Sequence, residues 1–390
     1  MIRKISISTV LFLIVILISA FFMISTNFGP PPGDFPDEIV VGSILPLSGP
    51  METYGIEIKR GIDMAVSDIN EQGGIKGTPL SVEYFDNLGN PNMALFALKK
   101  FAEKGVPVII GPVSSTTALT IAPYAEEEKV VIISPAATNP NLSEYKDYFF
   151  RTISSDIYQG KGMAKVLPTM YPDVQSAAVL YLNNDYGREL KNSFVTWFPK
   201  AGGHIVLIES YEPREKSYSE LIDKIIYTKP DAVVLIGTVE DAGIILKEAE
   251  NNGVNVKWFC SEGLVNDELP DSVGKYSEGI AGLMQSSQVQ SKSFIKRYES
   301  EYGTGINWPV SYGYDTMAIV SEAISAGGYK GPEISSALKR IRYLGLCGPK
   351  VFDENGDIPP AFDIMRIENG KWQRVKWNQI VFSDEEDEED

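Results

Sequence analysis

Seven short stretches carry the small, hydroxyl and acidic residues that could do chemistry: Pro46-Leu47-Ser48-Gly49, Asp86-Asn87, Gly111-Pro112-Val113-Ser114-Ser115, Ser134-Pro135-Ala136-Ala137-Thr138, Asn183-Asn184-Asp185, Gly237-Thr238 and Ser261-Glu262-Gly263. Ser114-Ser115 stands where a helical pattern begins, and hydroxyls with free N–H groups there can take a carboxylate or phosphate. Ordinary helix capping uses the same residues. Ser134 to Thr138 combines small side chains with a proline, which suits an accessible binding loop or a plain turn. Glu262 follows an apolar run, where a carboxylate is costly unless paired. It fits the counter-charge of a ligand ammonium group, or equally a cap or a salt-bridge partner for a lysine. Tyr54 and Tyr186 each precede a glycine in a loop before a helix, as ligand clamps or as staples of loop onto helix.

These positions hold no paired acids, base-activated nucleophile or metal set, so an enzyme is not expected, nor a cofactor. Gly73-Gly74-Ile75-Lys76-Gly77 follows a helix rather than a strand and reads as a turn, since phosphate binding needs the opposite order. The chain has no Gly-x4-Gly-Lys-Ser/Thr loop for ATP. Asp353-Glu354-Asn355-Gly356-Asp357 lacks the length and closing Glu of a calcium loop and is expected to be a hairpin turn. The single histidine, His204, leaves little for a histidine-based site. Cys260 and Cys347, the two cysteines, exclude a disulfide scaffold; the sequence leaves a single bond between them open, with two lone core thiols as the preferred reading.

The elements that must position these residues alternate between strand and helix. Ile39 to Leu45 is near-continuously apolar, the pattern of a parallel strand buried on both faces. Ile58, Ile62, Ala65, Val66 and Ile69 recur at helical spacing until Gly73-Gly74. Strands at Leu80–Tyr84, Val108–Ile110 and Val130–Ile133 then alternate with helices, one opened by Asn90-Pro91 as cap and first residue. A second round begins after Arg151, with strands at Ala178–Leu182, Ile205–Ile208, Ala232–Ile236 and Val256–Cys260. Helices follow around Phe294–Tyr298, Tyr314–Ala326 and Ile334–Ile341, then a late strand pair at Lys350–Phe352 and Phe362–Met365. This is an α/β chain with right-handed crossovers in two domains. The seven stretches fall at the carboxyl ends of its strands, where such sheets bind ligands.

Composition agrees with a globular protein: 390 residues, 44% hydrophobic and 22% charged. Single cores rarely exceed about 250–300 residues, so two domains are expected. The net charge of −17 includes the acidic run Asp384–Asp390. That balance argues against nucleic acid as a partner, because phosphates need clustered Lys and Arg. Arg3 and Lys4 precede an apolar run, Ile5–Ile24, which the positive-inside rule orients for export. Residues 1–25 are therefore expected to be a signal peptide or a retained membrane anchor, the chain's one contact with a membrane. Residues 26–37 are a Pro/Gly linker. The folded part works outside the cytoplasm, secreted or anchored, and residues 383–390 form a solvated tail.

Taken together, the stretches resemble the leucine/isoleucine/valine-binding family of type I extracytoplasmic solute-binding proteins. Val41 to Gly49, Asp68 to Gly77, Ile110 to Ser115, Ser134 to Pro140, Asp185-Tyr186-Gly187 and Ser261-Glu262-Gly263 occur in the family's order. The resemblance implies two doubly wound parallel-sheet lobes joined by a three-strand hinge, with crossings near Arg151–Asp156, Leu283–Ser287 and Pro360–Asp363. One lobe would comprise 38–153 with 286–360, the other 154–285 with 361–382. It further implies that Ser115, with the backbone around Ala136 and Thr138, holds a ligand α-carboxylate, and that Glu262 with Thr138 takes the α-ammonium group. Tyr54 and Tyr186 would flank the ligand from opposite lobes. Thr238 stands where some members carry an aromatic, which widens the side-chain pocket or makes it more polar. Gly89 and Ser114 stand where some members have a disulfide, so that brace is absent. The implied function is to bind an amino acid, branched-chain or similar, and deliver it to an ABC importer whose permease and ATPases are separate chains. A sensory ectodomain and a receptor for amides, urea or aromatic acids are the alternatives.

Overall fold

The computed structural model describes residues 35–286, 289 and 291–376; the expected leader, the linker as far as residue 34 and the acidic tail lie outside them. The first lobe opens with β1 (Ile39–Leu45), α1 (Glu52–Glu71), β2 (Leu80–Asp86) and α2 (Pro91–Glu103). It continues with β3 (Val108–Ile110), α3 (Ser115–Glu128), β4 (Val131–Ser134) and β5 (Phe149–Arg151). These strands pair in parallel in the order β2-β1-β3-β4-β5. As Asn90-Pro91 implies, the Asn90 side chain accepts from the N–H groups of Asn92 and Met93 at the start of α2. Strand β5 goes beyond the expected set: unlike the wholly apolar β3, its three residues, Phe149-Phe150-Arg151, end in a charge.

The second round comprises α4 (Asp156–Met170), β6 (Ser176–Leu182), α5 (Asp185–Trp197), β7 (His204–Tyr211) and α6 (Ser219–Thr228). Then come β8 (Ala232–Ile236), α7 (Val239–Asn251), β9 (Lys257–Cys260), α8 (Glu268–Val273) and β10 (Ala281–Gln285). The chain adds α9 (Lys292–Tyr302), α10 (Trp308–Gly327), α11 (Gly331–Leu338), β11 (Arg342–Gly345) and β12 (Gly348–Val351). It ends with β13 (Phe362–Glu368) and β14 (Lys371–Arg374). The second sheet runs β14-β13-β10-β9-β8-β6-β7, parallel except at β13 and β14. Helix α4 escapes a sequence reading at its amino end, where the buried positions are Gln159, Gly160, Lys161 and Gly162; its apolar stripe, Met163, Val166, Leu167 and Met170, begins only in the second half.

The late strands correct the expected pairing. β12 pairs with β11, whereas β13 lies between β10 and β14. The segment between β12 and β13 leaves one lobe for the other, so its two ends cannot form a hairpin. Asp353–Asp357 is accordingly not a hairpin turn: the Asp353 carboxylate accepts from the N–H groups of Asn355 and Asp357. Cys260 and Cys347 are both free and buried.

Each sheet is covered on both faces, which explains its continuous apolar strands. In the first lobe, Ile58 and Ile62 of α1 and Met317 and Val320 of α10 close one face. Leu98, Phe101 and Ile121 close the other. In the second, Ile222 and Ile245 face Met163, Phe194 and Phe198 across the sheet. The chain crosses between lobes after β5, after β10 and before β13. Buried side chains stitch the crossings together: Ser154 N–H donates to Gln285 Oε1 at 3.3 Å, and Ala361 N–H to Ser154 Oγ at 3.3 Å.

One buried ion pair anchors this region. Arg151 is 0% exposed and binds both Asp357 oxygens, through Nε at 2.6 Å and a terminal nitrogen at 2.8 Å. Its other terminal nitrogen donates to the Asn139 carbonyl at 2.8 Å. Removing one partner strands the other charge in the core. Asp357→Ala should therefore lower the unfolding free energy by roughly 3–5 kcal/mol, read as an earlier urea midpoint; an unchanged midpoint would contradict the clamp.

Candidate ligand-binding site

The site begins with the strand ends. Leu47 N–H and Ser48 Oγ donate to the Asp86 carboxylate at 2.9 and 2.6 Å, fixing the loop after β1. Burial works against the charge on Asp86, but these donors and the Leu88 N–H hold its carboxyl below the ordinary range. Tyr54 and Tyr186 sit not in loops but inside the first turns of α1 and α5. The glycine after each explains why. A Cβ on Gly55 would lie 2.0 Å from the Pro46 carbonyl oxygen, and one on Gly187 would lie 2.1 Å from that of Leu182. Without a side chain there, each helix can press its amino end against the preceding strand and turn the tyrosine into the cleft.

All seven residues singled out in the sequence, Tyr54, Ser115, Ala136, Thr138, Tyr186, Thr238 and Glu262, line one cavity of about 80 Å³ between the lobes. That is several times the roughly 10–15 Å³ one water needs. Ser114 is the N-cap of α3 and accepts from Thr117 N–H, so it is spent on capping. Ser115 and Thr116 begin the helix, and their N–H groups have no intrahelical acceptor. Ser115 Oγ accepts from Asn139 N–H at 3.3 Å and keeps its own hydrogen to donate. The Ala136 N–H turns to Ser134 Oγ at 3.2 Å, leaving Ala136 as a wall of the cavity. Thr238 is the N-cap residue of α7 and its hydroxyl reaches Asp241 Oδ2 at 3.4 Å.

The opposite end is acidic. Glu262 opens the short turn after β9, is 6% exposed, and its Oε2 is buried without a hydrogen-bond partner. No lysine or arginine pairs with it among the described residues. Burial pushes its carboxyl up to about 7, with the Gln159 side chain and its own backbone N–H opposing. Asp156, at the start of α4, is 0% exposed, accepts from Thr138 Oγ1 at 2.9 Å, and leaves Oδ1 unpartnered. Burial and the Glu262 charge drive it well above its ordinary value, against the Thr138 bond and Arg151. The Tyr186 hydroxyl is also buried and unpartnered, and is pushed up by burial and by Glu262. Two buried carboxylates, one with a raised value of about 7, leave room for a proton or a cation between them.

The lobes already touch around this cavity. Tyr54 Oη donates to the Gly263 carbonyl at 2.9 Å, and Asn139 Nδ2 to the Asp185 carbonyl at 2.7 Å. Sequence reasoning missed Trp308, the first residue of α10, whose ring lies 5.9 Å from that of Tyr54 and lines the same cavity. An aromatic between Asn307 and Pro309 at a helix start was the available signal. It also missed Asp156, which the fold brings in from outside the matched stretches, and the cross-lobe contact of Asn139, which lies within the matched stretch Ser134 to Pro140.

A family model described as periplasmic binding protein matches residues 38–371. The chain belongs to the periplasmic binding protein family. The leucine-, isoleucine-, valine-, threonine-, and alanine-binding protein of Pseudomonas aeruginosa is 27% identical, over 83% of this chain and 87% of that one. The crystal structure of a leucine-binding protein from Thermotoga maritima superposes with a TM-score of 0.81 at 25% identity, covering 87% of this chain and 98% of that one. A solute-binding protein of R. palustris in complex with benzoate shares the fold at a TM-score of 0.78 and 20% identity, covering 87% and 95%. The resemblance read from the motifs and the two-lobed α/β fold are both borne out. This periplasmic binding protein is a receptor and not an enzyme, and the family works outside the cytoplasm. Among the described residues no helix is long and apolar enough to cross a membrane.

The raised Glu262 carboxyl has a stability signature. Between its ordinary 4.5 and about 7 the folded state holds a proton that the unfolded chain has lost. Stability therefore falls as pH rises through that window. Glu262→Gln should flatten this slope and stabilise the ligand-free protein at pH 8 by up to about 3 kcal/mol. Urea melts of both proteins across pH 4.5 to 8 check this, and identical slopes would contradict it.

Proposed function

We propose that this protein captures a free α-amino acid of the branched-chain or a similar apolar kind between its lobes and delivers it to an ABC importer. One observation carries the reading: Glu262 Oε2 and Asp156 Oδ1 are buried and unpartnered, across the site from the open N–H groups that begin α3. A zwitterion stripped of water needs donors at one end and an anion at the other. In this reading Ser115, the α3 N-terminus and the Thr138 backbone N–H hold the carboxylate, while Glu262, seconded by Asp156, holds the ammonium group. Tyr54 and Tyr186 close on the ligand from opposite lobes, and Ala136, Thr238 and Trp308 shape the space for its side chain. The names of the Pseudomonas and Thermotoga relatives support an amino-acid ligand. A benzoate-like acid suits the donor end but would leave the buried carboxylates without a cation.

The lobes are assigned as 38–153 with 286–360 and 154–285 with 361–382, closing about the three crossings as ligand contacts both sides. The importer's permease and ATPases are separate chains. The apolar run at Ile5–Ile24 is the export signal or anchor that this role requires.

A thermal-shift and calorimetry panel of the common amino acids, urea, short amides and benzoate tests this. A ligand at about 100 times its Kd should add roughly 2.7 kcal/mol of stability. An apolar α-amino acid should give that shift and Glu262→Gln should abolish it. A response confined to ligands without an ammonium group would overturn the assignment.

A further inference from the structure

A second cavity, of about 330 Å³, lies between the lobes, and Tyr54 and Trp308 line both it and the amino-acid cavity. Those two rings therefore form the partition. Its floor is apolar, with Met284 and Met365 from the second lobe and the rings of Trp308 and Trp372. The Trp372 indole N–H is spent on the Asn266 carbonyl at 2.8 Å, so the ring offers a π-face and no donor. The polar lining is acidic and comes from both lobes: Glu57 from α1, Asp267 and Glu268 from the start of α8. No basic side chain lines the cavity among the described residues. Asn307 Nδ2 holds Glu57 Oε1 at 2.6 Å, which fixes one carboxylate beside the apolar floor.

We infer that this cavity is a second ligand site, taking an organic cation with an apolar or aromatic body that bridges the lobes. Its volume falls in the range of roughly 300–1,000 Å³ typical of small-molecule sites. Methionine surfaces adapt to varied apolar shapes, and an ammonium group is attracted both to the carboxylates and to tryptophan faces. Burial pushes the Glu57 carboxyl up and the charges of Glu268 and Asp267 add to it, against Asn307 and Arg60; a bound cation relieves that repulsion. Because the occupant touches α1 and α10 on one side and α8, β10, β13 and β14 on the other, it favours the closed arrangement. It thereby strengthens binding in the neighbouring cavity, and the neighbouring ligand strengthens its own by the same factor.

Phenethylamine, a primary ammonium on an aromatic body, is the probe, with the neutral 2-phenylethanol as its control. Calorimetry on the purified protein should show phenethylamine binding at least about tenfold more tightly than 2-phenylethanol. Glu262→Gln, which empties the amino-acid cavity of its anion, should not weaken phenethylamine binding, and easier closure should if anything tighten it, so this site stands or falls apart from the amino-acid reading. The double variant Glu57→Gln/Glu268→Gln, with its fold checked by circular dichroism, should weaken it about tenfold. Equal binding of the neutral control, no binding up to millimolar probe, or loss in Glu262→Gln with retention in the double variant would each overturn the inference. The control comparison needs no variant to fold.

Discussion

A carboxylate buried without a cation is the constraint on which this structure turns. Glu262 is held at the end of β9, and Asp156 at the start of α4, in a space where, among the described residues, neither is hydrogen-bonded to a lysine or arginine. The one arginine near Asp156, Arg151, is already bound through two nitrogens to Asp357. Folding alone is better served by apolar residues at such positions, since an unpaired buried charge costs several kcal/mol. The rest of the fold compensates. Both sheets are covered on both faces, and the crossings are stitched by Ser154, Gln285 and Ala361.

That arrangement links the site to the contacts between the lobes. Tyr54 reaches across to Gly263, and Asn139 to Asp185, so the groups that line the cavity also join its walls. Asn139 is the junction: Arg151 holds its carbonyl, Ser115 Oγ accepts its N–H, and its side chain crosses to the second lobe. In the proposed reading, a ligand that neutralises Glu262 removes a cost present only when the cleft is shut and dry. On that proposal, its binding energy goes into closure, as differential affinity requires.

Much of this was legible in the sequence, for physical reasons. The alternation of apolar strands and amphipathic helices gave the two sheets, because parallel strands buried on both faces leave a continuous apolar trace. Residues at strand ends were legible because the topology gathers them. Tyr54-Gly55 and Tyr186-Gly187 were visible as pairs, but the glycine's part, close approach of helix to strand, shows only in three dimensions. Asp156 was hidden because the first half of α4 buries polar residues and glycines, so its apolar stripe starts only at Met163, well after the helix begins. Trp308 was hidden because it reaches the cavity from a helix distant in sequence from every strand end, and Asp357 because its partner Arg151 lies far back along the chain. Pairings between distant residues leave no local pattern to read.

Proton release on ligand binding tests the central claim most directly. Calorimetry of an apolar α-amino acid in buffers of different ionisation enthalpy counts the protons exchanged. At pH 6, below the Glu262 value of about 7, the ammonium group should displace close to one proton from Glu262, and this contribution should fade as pH rises past that value. Binding that releases no proton anywhere between pH 5 and 9, or the same number in Glu262→Gln, would show that the buried carboxylates do not meet the ligand.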